Sequence, residues 1–67
     1  MKPDFIDGFA AGAGLPNATQ DDRNRAKEQW ADWSRQLSDK EREAVEAEGY
    51  HGGLREGRIY ADQHVEN

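Results

Sequence analysis

The chain contains no cysteine, so disulfide staples and thiolate metal sites are excluded. It is poor in branched and aromatic apolar residues: Leu, Ile, Val and Phe together number nine of 67. A net charge of −5, from nine Lys and Arg against fourteen Asp and Glu, leaves no basic surplus. Direct nucleic-acid binding is therefore not expected, because phosphate recognition relies on clustered Lys and Arg. No apolar run approaches the roughly 18 residues of a membrane-spanning helix. Residues 1–15 carry one Lys and two Asp and lack the apolar core of a secretory signal. The reading is a soluble, cytoplasmic protein with no membrane association. At 7.6 kDa the length allows one small domain, residues 1–67.

So thin a core supplies only about 3–5 kcal/mol in a chain of this size. Help is expected from a partner or from a second copy of the chain, which leaves a homodimer open. The two Trp and two Tyr offset part of the deficit, since each large ring buries on the order of 150–250 Å².

What is present is helical. The expected fold is all-α, a helical hairpin with a short N-terminal helix across it, and helices at about 3–13, 19–36 and 39–62. The first opens at Pro3-Asp4 and carries Phe5, Ile6, Phe9, Ala10 and Ala13 at helical spacing. Gly8 inside it costs roughly 1 kcal/mol relative to Ala. The second is capped by Asn17 or Thr19 and places Ala26, Trp30, Trp33 and Leu37 on one stripe. The third starts with the capping box Ser38-Asp39-Lys40-Glu41. Its glycines leave two readings: one kinked helix, or a break near Gly52-Gly53. Residues Gln63–Asn67 are expected to fray.

One pattern occurs twice: Asp7-Gly8-Phe9-Ala10-Ala11-Gly12 is echoed by Glu48-Gly49-Tyr50-His51-Gly52-Gly53. Glycines four apart (Gly8 and Gly12; Gly49, Gly53 and Gly57) line one helix face, where a backbone or a flat ring can approach closely. Trp30 and Trp33 are available to fill these grooves. Gly49-Tyr50-His51-Gly52-Gly53-Leu54 with Gly57-Arg58 resembles the glycine signature of ribosome modulation factor and its small relatives. Gly8 to Gly14 with Trp30 and Trp33 downstream is similar to that family's glycine helix and paired-Trp helix. The resemblance implies a short helical hairpin. The family is basic and binds ribosomal RNA, a role not carried over to a chain at −5. Its Cys-Pro-Tyr turn is absent, and its tryptophans are four apart where these are three apart.

Catalysis needs an acid–base pair or nucleophile in a water-excluding cleft, and no such constellation is present. No enzymatic activity, cofactor or metal is expected. Asp62, His64 and Glu66 could gather around a metal, but no second histidine stands at helical spacing. The row Glu41, Glu43, Glu46, Glu48 either imitates a phosphate backbone or is a solvated helix face; Lys40 and Arg42 dilute it. Trp30 and Trp33 read as core, as a dimer seam or as exposed anchors for a partner.

The function expected is a small acidic regulator or inhibitor that binds a basic surface of a larger protein or complex. Glu41, Glu43, Glu46, Glu48, Trp30, Trp33 and Tyr50 are the candidate partner-binding residues. In size and charge alone it resembles phage accessory proteins, including anti-CRISPR proteins. The alternatives are a ribosome-associated factor, as the glycine motif suggests, and an orphan oligomerisation module.

Overall fold

A computed structural model describes residues 3–15 and 19–63. The order is α1 (Pro3–Gly12), α2 (Gln20–Trp33), a 3-10 turn (Ser34–Gln36), α3 (Asp39–Ala47) and α4 (Tyr50–Gln63). There is no strand among the described residues, so the all-α expectation holds.

Local chemistry sets most of the boundaries. Thr19 caps α2: its side chain accepts the amide of Asp22 at 3.1 Å, while Asn17 lies outside the described residues. Asp21 and Asp22 sit in the first turn of α2, where the helix dipole favours negative charge. The expected helix to residue 36 is α2 plus the 3-10 turn. At Ser38 the capping box is complete. The Glu41 amide donates to Ser38 Oγ at 3.1 Å, and the Ser38 amide donates to Glu41 Oε1 at 2.9 Å.

The expected single helix over 39–62 is two helices, and they part at Glu48-Gly49 rather than at Gly52-Gly53. Gly49 has φ +67°, a left-handed conformation that costs glycine nothing sterically. Its amide closes α3 onto the Glu46 carbonyl at 3.2 Å, and its own carbonyl accepts the Gly53 amide at 3.0 Å in the first turn of α4. Gly52 and Gly53 lie inside α4 and are buried.

The glycine stripes fill each other; the indoles do not fill them. A Cβ on Gly8 would collide with the Tyr50 carbonyl and lie 2.9 Å from the Leu54 nitrogen. One on Gly12 would collide with the Leu54 carbonyl and lie 2.8 Å from the Arg58 nitrogen. From the other side, Gly53 faces the Phe5 carbonyl and the Phe9 nitrogen, and Gly57 faces the Phe9 carbonyl and the Ala13 nitrogen. The contacts advance together, so α1 and α4 run parallel. Adding 45 to each α1 residue (5, 8, 9, 12, 13) yields its α4 counterpart (50, 53, 54, 57, 58). The pair is thus related to itself by a pseudo-two-fold axis along its length.

The core lies on one side of this pair. Phe5 and Phe9 are fully buried, with Ile6, Ala10, Ala26 and Trp30 around them. The Trp30 ring packs 4.7 Å from Phe5 and 5.7 Å from Phe9. Tyr60 continues the cluster, 5.6 Å from Phe9 and edge-on to Trp33 at 5.8 Å. Tilted and edge-on geometries are those the ring quadrupoles favour. The N-terminal helix is therefore the central element, packed against both α4 and α2. Helix α3 has no buried residue.

Candidate functional site

The seven candidate residues fall into two groups: those that hold the fold and those that face solvent. Trp30 is 4% exposed, so of its three readings the core one applies. Its indole nitrogen donates to Glu46 Oε2 at 2.8 Å, which ties α2 to α3. Trp33 is half-buried, and its indole donates to Glu56 Oε1 at 3.2 Å, which ties the end of α2 to α4. A buried indole N–H needs an acceptor, and two glutamates supply the two acceptors.

The acidic row is divided in the same way. Glu41 closes the capping box. The hydrogen bonds from Ser38, the backbone amide first and then the side chain, hold its carboxyl below the usual carboxylate value. Glu46 accepts from Trp30. Glu48 pairs with Arg55 through two bonds, at 2.9 and 2.5 Å. That pairing lowers the Glu48 carboxyl and raises the Arg55 guanidinium. Arg55 also approaches Glu56 Oε2 at 3.8 Å. Glu43 is exposed and has no side-chain partner among the described residues.

Tyr50 is 42% exposed and meets His51 edge-on at 6.3 Å. It lies two residues from Gly52, about 200° around α4. Gly52 is the position that packs on Val45 of α3 and on Glu48, its C-cap. Tyr50 and the outward side of α3 are therefore different faces, and the structure does not bring all seven residues into one surface. Arg55, Glu56 and Arg58 are not among the seven candidates read from the sequence. Glu48 and Arg55 stand seven apart, a spacing that reads as two turns of one helix until the Gly49 corner is known.

Among the described residues no group of three or more His, Cys, Asp or Glu is arranged to hold a metal ion; His64 and Glu66 lie outside them. No described helix is long and apolar enough to cross a membrane. What the arrangement presents to solvent is charge on α3 and an exposed ring on α4. No protein-family model, curated protein or solved structure matches the chain.

Proposed function

We propose that this protein is a small non-enzymatic regulator or inhibitor that docks the acidic outward side of α3 on a basic surface of a larger protein. The observation that carries this reading is the exposure of α3. No residue of α3 is buried, yet the helix is fixed at its start by the Ser38–Glu41 box and near its end by the Trp30–Glu46 bond. A helix held by polar bonds, in a chain so short of apolar residues, presents Asp39 and Glu43 to solvent, with Lys40 and Arg42 exposed beside them. The surplus of negative charge speeds encounter with a basic partner and steers its orientation.

The test is reversal of Asp39 and Glu43 to Lys, which moves the net charge from −5 to −1 and leaves Glu41, Glu46 and Glu48 at their internal bonds. The partner is isolated with the wild-type chain, and association is measured at two salt concentrations. The expected result is at least tenfold slower association of the reversed chain, with the wild-type rate falling as salt rises. Equal rates for both chains at both salts refute the proposal. Tighter capture of ribosomal RNA by the reversed chain would favour a ribosome-associated factor instead.

A further inference from the structure

The pseudo-two-fold axis gives the α1–α4 pair two equivalent sides, and among the described residues α2 covers one. On the covered side Phe5 and Phe9 lie under Trp30 of α2. Their counterparts 45 residues on are Tyr50 and Leu54, followed by Arg58 as the counterpart of Ala13. Tyr50 is the more exposed of the two exposed large hydrophobics among the described residues, Leu54 is half-buried outside the core cluster, and Arg58 is exposed. Apart from the neighbouring His51, no described ring packs on Tyr50, and no described group pairs with Arg58.

We propose that this second side is the seat of a second copy of the chain, docked antiparallel about a two-fold axis through Leu54. Two features select that occupant. Tyr50 and Arg58 stand four residues before and after Leu54, about 6 Å along the helix in each direction. A two-fold at Leu54 therefore sets each Arg58 guanidinium over the other copy's Tyr50 ring, a cation–π pair formed twice. The second feature is the parallel run of α1 and α4, whose dipoles add; an antiparallel neighbour opposes them. Arg58 is the exposed charge of this face, whereas Arg55 is held by Glu48, so this face is distinct from the α3 face of the proposed function. The apolar part is small, and the dimer is accordingly weak.

Sedimentation equilibrium of the intact chain, from about 10 μM to about 1 mM, tests the proposal. The expected wild-type mass climbs from 7.6 kDa toward twice that value. Tyr50→Lys weakens association at least tenfold by setting Lys against Arg58. Adding Arg58→Glu to Tyr50→Lys restores it, because a Lys–Glu ion pair then replaces the cation–π pair in the same register. Both positions are exposed, and circular dichroism verifies that each variant is folded. A wild-type chain that stays at monomer mass up to 1 mM, or a folded double variant that stays monomeric, overturns the proposal. Cross-linking gives an independent reading, since the chain has no cysteine. Leu54→Cys forms a disulfide-linked dimer at least tenfold faster than Ala31→Cys, at an exposed position on α2; equal rates overturn it.

Discussion

Replacing Gly53 by Ala adds one methyl group at the tightest point of the α1–α4 contact. The new Cβ would overlap the Phe5 carbonyl and lie 2.7 Å from the Phe9 nitrogen. Ordinary contact begins at 3.4 Å, so α1 must retreat by about 0.7 Å from the nitrogen alone, and by more from the oxygen. Both obstacles are backbone atoms of a helix that carries Phe5 and Phe9, and no side chain can rotate away to make room. A gap of 0.5–1 Å forfeits about a quarter to a half of each dispersion contact across it, and overpacking of this kind costs about 1–3 kcal/mol or more. Against this stands the helix-propensity gain of Ala over Gly, roughly 1 kcal/mol. The contact term is the larger, because it acts on the whole α1 interface and the propensity term acts on one residue. The expected net loss is up to about 2 kcal/mol, a large share of the roughly 3–5 kcal/mol that a core of this size supplies. Gly8→Ala, at the pseudo-equivalent position, should cost a similar amount. The two together should cost less than their sum, since the first already separates the helices. Urea unfolding followed by circular dichroism measures all three. A Gly53→Ala chain as stable as wild type, or more so, refutes the backbone-contact argument.

Trp30→Ala should remove about 3–5 kcal/mol and leave Glu46 without its indole donor, enough to unfold the chain at 25 °C; a folded far-UV spectrum would contradict this. Ser38→Ala should cost about 1 kcal/mol. Because α3 has no buried residue, the loss should appear first as faster amide hydrogen exchange in Asp39–Ala47, with α1 and α4 little changed. Glu41 and Glu48 have carboxyl groups lowered from the ordinary 4.5, so their contribution to stability is complete above that value and is lost as pH falls through their lowered values. Melting temperatures from pH 7 to pH 2 should therefore show Glu41→Gln/Glu48→Gln less stable than wild type at pH 7, with the gap closing toward pH 2; a constant gap would exclude these two carboxylates as its source.

What could be read in advance follows the range of the physics. Caps act over three residues, and Thr19 and Ser38 declared themselves through Asp22 and Glu41 nearby in the chain. Apolar spacing revealed which faces of α1 and α2 are buried. It did not reveal their partners, because a glycine stripe accommodates a ring or a backbone equally well, and only the tertiary arrangement selects between them. The corner at Gly49 was obscured by Gly52, Gly53 and Gly57, each an equally good place for a break by composition alone. The division of the candidate residues between internal bonds and solvent is hidden in the sequence for a related reason. A glutamate on a helix reads as solvent-facing until a distant indole arrives to donate to it, and Trp30 and Trp33 lie 16 and 23 residues from Glu46 and Glu56.

The 45-residue offset of the α1–α4 contact also governs how the chain reaches its fold. Contacts between neighbours in sequence form early, whereas this one must close a loop of two-thirds of the 67 residues before any dispersion energy is recovered. Helix α1 carries Phe5, Ile6, Phe9 and Ala10 but has no groove to sit in until Gly53 and Gly57 have been synthesised. A nascent chain ending before residue 53 therefore has α2 to set against Phe5 and Phe9 but no partner for the Gly8–Gly12 side of α1. The cooperative step comes late in synthesis, and it should be slow for an all-helical protein of this length.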